Sequence, residues 1–313
     1  MTQPYIVGVG AANLDLSGAS IAPIRLRDSN PGHIRLSAGG VTRNVLDNLS
    51  RLGADVKLLS AIGCDAFGEQ ILRESRAAGI DVDAVWRTDQ AVSSMYLSIL
   101  DSAGDMLVAM SDMTIIQSSL PGGYLTQHRA LIRGARIVTC DPCIRERALE
   151  ELLDLCGPEQ TVCVDPVSTA YARIVAPYIG RFHTAKPNRM ELEILAGLPV
   201  ETDLDLARAG ERLLQQGLHR LFVSLGSEGC FYMDDCGRIL RKKLRPAAQM
   251  VNASGAGDAF TAAMLYATLK ELPPERTLDL ALAAGLAALS YPGTINPSMS
   301  LPLLDRILKE NSI

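Results

Sequence analysis

The chain has 313 residues, 48% of them hydrophobic and 21% charged, with a net charge of −5 at pH 7. That length suits one large α/β domain, alone or with a small appendage, and that composition is ordinary for a soluble globular protein. With Arg241-Lys242-Lys243-Leu244-Arg245 as the densest basic stretch, a nucleic-acid footprint is excluded; any phosphate must be held by local backbone geometry and a few cations.

Aromatic residues make up only 4%, so the core rests on Ala, Leu, Val and Ile, as in helices packed on a parallel sheet. Seven cysteines, an odd number scattered from Cys64 to Cys236, predict reduced thiols. The start Met1-Thr2-Gln3-Pro4 carries no leader pattern and no apolar run reaches membrane-spanning length, so no membrane association and a cytoplasmic location are expected. Cys140-Asp-Pro-Cys143 has metal-ligand spacing, but without a second pair or a nearby His it reads as two unpaired thiols at a strand end.

Tyr5–Gly10 reads as a buried strand. Residues 18–37 contain Gly18, Pro23, Pro31 and Gly32 and no helical period, which predicts strands and turns outside the main rhythm. Val41, Val45, Leu46, Leu49 and Leu52 are helically spaced, and Gly53 stops that helix. A strand over 56–61 and a helix over 67–78 follow. Ser93–Leu100 and Met106–Met110 flank a glycine-bearing loop and predict a hairpin. Strands at 137–140, 161–165, 183–186 and 220–225 then alternate with helices at 145–155, 188–196 and 204–216. A second hairpin spans 230–243, and helices at 255–269 and 276–290 close the series. Alternating strands and helices imply a mostly parallel sheet flanked by helices, with 18–37 and 93–111 as a small β-stranded lid on a single domain.

Gly8-Val-Gly10-Ala-Ala-Asn13 begins like a dinucleotide fingerprint, but Asn13 replaces its third glycine and no helix follows. Asn13 and Asp15 instead leave the carboxyl end of the first strand, where ligands sit in open α/β sheets, and both can hydrogen-bond a diol. No Walker lysine motif occurs. Asn252-Ala-Ser-Gly255-Ala256-Gly257-Asp258 follows a β-like stretch at 247–251 and opens an apolar helix. Small residues at a helix start let backbone N–H groups approach an anion. Asp258 in the same turn is expected to be held ionised by the helix dipole, an effect of about 0.3–1 kcal/mol. It can then take a proton from an attacking hydroxyl.

Gly39-Gly40-Val-Thr-Arg-Asn44 and Gly255-Ala256-Gly257-Asp258 resemble the two signatures of the ribokinase-like (PfkB) carbohydrate kinase family. Asn13 and Asp15, Asn188-Arg-Met-Glu191, and the Val223–Gly229 strand and loop match its other elements in order across almost the whole chain. The resemblance implies an ATP- and Mg²⁺-dependent kinase with Asp258 as base and Gly255, Ala256 and Gly257 as anion hole. It implies that Asn13, Asp15, Gly39, Gly40 and Asn44 hold the sugar, and that Glu191, with the ATP-binding Asn188, organises magnesium and phosphate through water. Ser224, Gly226, Gly229 and Asn296 would line the nucleotide, with Gly293 in the same closing segment. Asp28–Gly32, Asp112-Met113, Asp165-Pro166-Val-Ser168 and His183–Arg189 are similar to the pseudouridine-phosphorylating members. They imply phosphorylation of the 5′-hydroxyl of that nucleoside, with Ser29, Asn30 and Asp112 as candidate readers of the base. Another nucleoside or sugar as acceptor, a non-catalytic nucleoside-binding relative, and a nucleoside hydrolase are the alternatives. Asn252-Ala253 replaces the Asp-Thr of many members, which weakens the case for a K⁺ site. Arg43 is placed by sequence either at phosphate or on a solvated helix face. Exposed lid strands imply a homodimer.

Overall fold

The computed structural model describes residues 3–245 and 254–311. The segment 246–253, with Asn252, Ala253 and the β-like stretch at 247–251, lies outside the described residues.

The first half contains β1 (Tyr5–Val9), β2 (Asn13–Ser20), β3 (Gly32–Gly39), α1 (Val41–Arg51), β4 (Asp55–Leu59), β5 (Ala61–Gly63), α2 (Ala66–Ala77), β6 (Trp86–Thr88), β7 (Met95–Leu100) and β8 (Met106–Asp112). Three short helices follow, α3 (Thr114–Ser118), α4 (Tyr124–Gln127) and α5 (Arg129–Gly134). The second half runs β9 (Ile137–Cys140), α6 (Glu146–Leu155), β10 (Thr161–Val164), α7 (Thr169–Val175), β11 (Thr184–Ala185), α8 (Arg189–Ala196), α9 (Asp203–Gln215), β12 (Arg220–Ser224), β13 (Cys230–Asp234), β14 (Ile239–Lys242), α10 (Ala256–Leu269), α11 (Pro274–Leu289) and α12 (Leu301–Asn311).

An eight-stranded sheet has the order β14-β13-β12-β11-β10-β9-β1-β4. The run from β4 to β12 is parallel, and β13 and β14 add antiparallel at one edge. Successive side chains of a strand point to opposite faces. Ile6 of β1 accordingly packs with α1, α10 and α11, while Val7 and Val9 pack with α6, α8 and α9. Apolar layers on both faces of a parallel sheet give the α/β class expected from the sequence.

The predicted strand over 56–61 breaks in two. Ser60 leaves the ladder because its hydroxyl donates to the Gly10 carbonyl at 2.7 Å, and β5 turns away to pair with β6. The helix predicted from Phe67 begins at Ala66, since Asp65 caps it by accepting the Gly68 N–H at 2.8 Å.

A second sheet of four strands has the order β3-β2-β7-β8. Its strand β2 starts at Asn13, five residues before the lid segment drawn from sequence, because Asn13–Ser20 pairs residue for residue with Gly32–Gly39. Registered pairing sorts its side chains by face. Leu36, Leu16, Leu97 and Met110 form one rung, and Ile34, Gly18, Ile99 and Val108 the next. The opposite face carries Ser37, Asp15, Tyr96 and Ser111. The apolar face is open: Ile34 is 73% exposed and Met110 70%.

Between β3 and α1 the chain turns at Gly40, with φ +99°, and a Cβ there would stand 2.4 Å from the Ala11 carbonyl oxygen. Both constraints act on backbone that cannot retreat. Gly40→Ala is expected to lower unfolding stability by at least about 2 kcal/mol in urea titrations; an unchanged midpoint would contradict this account of the turn.

Candidate active site

The carboxyl ends of β1, β9, β10, β11 and β12 converge on the starts of α1, α8 and α10. The junction of β1 with α1 is set by Asp141, which follows β9 and is fully buried. Its Oδ2 accepts the N–H of Ala11 at 2.9 Å, the N–H of Thr42 at 3.1 Å and the Thr42 hydroxyl at 2.7 Å. Its Oδ1 accepts the Cys143 N–H at 3.0 Å. Gly10 fits because a Cβ there would stand 2.4 Å from Asp141 Oδ2. Between the two thiols of Cys140 and Cys143 it is the aspartate that makes these bonds. Both cysteines are free and buried, and burial pushes their thiols far above the usual range.

Asn13 and Asp15 lie on adjacent rungs of β2, and the Asn13 amide donates to Asp15 Oδ1 at 2.6 Å. Gly39 faces them, and a Cβ on it would enter the Asp15 carboxylate at 2.4 Å. Burial raises the Asp15 pKa, with Asn13 and Arg43 opposing. Asn44, in the first turn of α1, donates from Nδ2 to Asp258 Oδ2 at 2.9 Å. This bond joins residues 214 positions apart.

Gly255 caps α10 in the left-handed region, with φ +79°, and a Cβ there would stand 2.1 Å from the Thr294 carbonyl oxygen. Ala256, Gly257 and Asp258 form the first turn after it. The ionised Asp258 expected from the helix dipole is corrected here. Burial, then the neighbouring Asp165 carboxylate, raise its pKa to about 7, against the opposing pull of Asn44 and Lys186. Asp258 keeps some exposed surface, but the dense protein around its carboxyl removes most of the hydration that favours the charged form. A dipole effect of at most about 1 kcal/mol is the smaller quantity.

Lys186 follows β11 and is buried. Its Nζ lies 3.0 Å from Asp165 Oδ2, which also accepts the Thr261 hydroxyl of α10 at 3.0 Å. Burial works against the ammonium charge, but Asp165, Glu191 and Asp258 outweigh it, so the pKa is raised. Nζ also stands 3.5 Å from where a Cβ on Gly257 would be, so glycine leaves the space beside the lysine open. The sequence calls for a few local cations without naming one; the buried Lys186, from another element, places a positive charge beside the start of α10.

Asn188 and Glu191 close a capping box on α8. Asn188 Oδ1 accepts the Glu191 N–H at 3.0 Å, and Glu191 Oε2 accepts the Asn188 N–H at 2.8 Å. Glu191 is buried, and burial followed by Asp165 raises its pKa. Its Oε1 is not used by the cap. A carboxylate oxygen outside the cap is the hard-oxygen kind of donor that suits Mg²⁺ directly or through water.

At the end of β12, the Ser224 N–H donates to Pro187 O at 3.0 Å, and Gly226 and Gly229 turn at φ +58° and +91°. Asn296 spends its side chain on structure: Nδ2 donates to Ala287 O at 2.7 Å and Oδ1 accepts the Ser298 N–H at 2.9 Å. Ser29 and Asn30 lie exposed in the β2–β3 connection. The Asn30 amide donates to Arg25 O and Asp28 O at 3.0 Å, and its Oδ1 accepts the Arg25 N–H at 2.8 Å. Asp112 ends β8, exposed, with Oδ1 accepting the Thr114 N–H at 3.0 Å. Among the described residues no bond joins these three to the Asp258 group. Arg43 does not lie on a solvated helix face: it is 3% exposed and paired with Asp47 at 2.5 Å.

The structure thus gathers Asn44, Gly257, Asp258, Glu191, Asp165 and Lys186 into one cluster. Sequence reasoning gave no role to Asp141 or Lys186 and took Asp165 only as part of a resemblance. A signal was available: Asp141-Pro142 and Asp165-Pro166 each follow a short apolar strand of the parallel series.

A model of the pfkB family carbohydrate kinases matches residues 3–301. The chain belongs to the pfkB carbohydrate kinase family. It is 36% identical to the pseudouridine kinase of Escherichia coli strain K12 over 96% of this chain and 95% of that one. It is 35% identical to YeiI, an uncharacterized sugar kinase of the same strain, over 95% of this chain and 82% of that one. Its fold superposes on Arabidopsis thaliana ribokinase, solved with ribose and ATP, with a TM-score of 0.87, covering 98% of this chain and 99% of that one at 23% identity. The fold is the ribokinase-like α/β fold, and the activity is that of a sugar or nucleoside kinase. No helix among the described residues is long and apolar enough to cross a membrane.

Proposed function

We propose that this kinase transfers the γ-phosphoryl group of ATP to the 5′-hydroxyl of pseudouridine. The observation that carries the chemistry is the Asp258 carboxylate, hydrogen-bonded by Asn44 and poised near neutrality at the glycine-rich start of α10. Asp258 takes the proton from the attacking hydroxyl. The N–H groups at Gly255, Ala256 and Gly257, together with Lys186, stabilise charge on the transferring group. Asn13 and Asp15 on β2, with Gly39 and Gly40 beside them, hold the sugar diol. Glu191, with Asn188 beside the nucleotide, would hold Mg²⁺ through water, and that ion would offset phosphate charge and steady the leaving group. Ser224, Gly226, Gly229 and Asn296 shape the nucleotide side. The four-stranded sheet acts as the lid, its polar face with Asp15 and Tyr96 turned to substrate. Support for pseudouridine is the likeness over nearly the full length to the E. coli enzyme of that name.

Incubation of the pure protein with Mg-ATP and a panel of nucleosides and sugars, with products identified by mass, tests the acceptor. Pseudouridine 5′-phosphate is expected as the fastest-formed product. Faster transfer to another nucleoside or sugar overturns the acceptor and leaves the family activity standing.

Asp258→Asn is expected to lower kcat by about 1,000-fold with little change in KM. In the wild type the base must be deprotonated, and its pKa is about 7, so kcat should fall roughly tenfold per unit as pH drops below that value. A flat profile from pH 5 to 8 contradicts the assignment.

The apolar face of the lid sheet, with Ile34, Leu36, Leu97, Val108 and Met110 exposed, fits a second copy of the same face in a homodimer. Ile34→Glu with Met110→Glu should halve the mass seen by light scattering at micromolar concentration. A wild-type protein that is already monomeric there rules the pairing out.

A further inference from the structure

Arg43 makes contacts that no substrate role requires. Nη2 donates to Asp47 Oδ2 at 2.5 Å, Nε to Ser75 Oγ at 3.4 Å, and Nη1 to Ala38 O and to Asn44 Oδ1, each at 3.3 Å. Asp47 is itself buried, and its Oδ1 accepts from Arg51 Nε at 2.6 Å. Arg51 Nη1 in turn donates to Pro297 O at 2.9 Å. A buried ion pair on α1 is therefore tied at one end to the segment after α11 and at the other to the side chain that touches Asp258.

The carboxamide of Asn44 has an accepting end and a donating end. A guanidinium carries donors alone, so the end facing Arg43 is Oδ1, and Nδ2 is left for Asp258. With the amide reversed, its NH₂ would meet the guanidinium and its oxygen would meet the carboxylate. Two attractive contacts would become two repulsive ones inside a weakly screened interior.

We propose that Arg43, anchored by Asp47, is a positioning residue that locks Asn44 in its donating orientation and so keeps the Asp258 carboxylate available as the base. The proposal rests on the reading of Asp258 as base. The charged groups that face Asp258 come from three other strand ends: Asp141 after β9 and Asp165 after β10 disfavour its ionisation, and Lys186 after β11 favours it. The Asn44 N–H acts on the same side as the lysine. Reversal of the amide would remove that support and substitute an oxygen, raising the pH at which the base becomes usable.

The test is the pH profile of kcat for the full chain carrying Arg43→Met, Arg43→Lys, Asp47→Asn or Asp258→Asn, with circular dichroism and thermal melts on each. In Arg43→Met the acid limb should move up by about one pH unit, so that the deficit seen at pH 6 shrinks about tenfold by pH 9. Arg43→Lys keeps a donor and should lie between wild type and Arg43→Met. Asp47→Asn releases the anchor and should shift the limb in the same direction. A cooperatively folded Arg43→Met whose rate falls equally at every pH, with the limb unmoved, overturns the positioning role. Should Arg43→Met fail to fold, unmoved limbs in Arg43→Lys and Asp47→Asn overturn it instead. Wild-type turnover by Asp258→Asn would sink the base assignment itself, a result separate from either of these.

Discussion

Four carboxylates, of Asp141, Asp165, Glu191 and Asp258, crowd the ends of neighbouring strands, and the Lys186 ammonium acts on three of them. Unscreened like charges in a partly desolvated site cannot all ionise freely. The cluster relieves this in distinct ways. Asp141 takes four donors from backbone and Thr42, and Asp165 takes Lys186 and Thr261. Glu191 and Asp258 are left with raised proton affinities. The surplus of negative charge is what a divalent cation would relieve, and a carboxylate that releases its proton near neutrality suits the base role proposed for Asp258. The charge balance of the site and its chemistry are one problem.

That crowding is possible because the sheet is parallel. Parallel strands deliver their carboxyl ends to one edge, so side chains far apart in sequence meet there. The Asn44–Asp258 bond spans 214 positions, and Thr261 reaches Asp165 across 96. Close backbone approaches at Gly10 and Gly255 and the turn at Gly40 allow those meetings without strain on a Cβ. The residues that look least chemical, small ones at strand and helix ends, therefore set the distances between the reactive ones.

The regular βα alternation, the glycine-rich start of α10 and the pairing of Asn13 with Asp15 could be read from sequence because each is local. A helical period, a turn residue or an i, i+2 spacing needs no knowledge of what lies opposite. The break at Ser60 could not, since it depends on the carbonyl of Gly10 in another strand. Nor could the state of Asp258. The dipole of its own helix argues for ionisation, whereas the decisive influences are burial and Asp165, which tertiary packing brings near. The burial of Arg43 was not legible either, since it depends on how α1 packs; its partner Asp47 one turn away holds it in. Lys186 carried no local signal, since its partner Asp165 is brought to it from another strand.

The pairing of Asn13 with Gly39 has a mechanical consequence. Strands β2 and β3 meet the main body at that rung, and β7 and β8 return at the neighbouring pair Met95–Asp112, so a swing of the proposed lid would turn about these two adjoining pairs. Displacement grows with distance from a pivot. Asp15 sits two residues out and would hardly move, whereas Ser29 and Asn30, beyond the far end of β2, would sweep the widest arc. A ligand gripped at the pivot stays seated through the swing, while one read at the tip is met only when the swing ends. In the reaction proposed above, holding the sugar and judging what is attached to it would then be separate events in time.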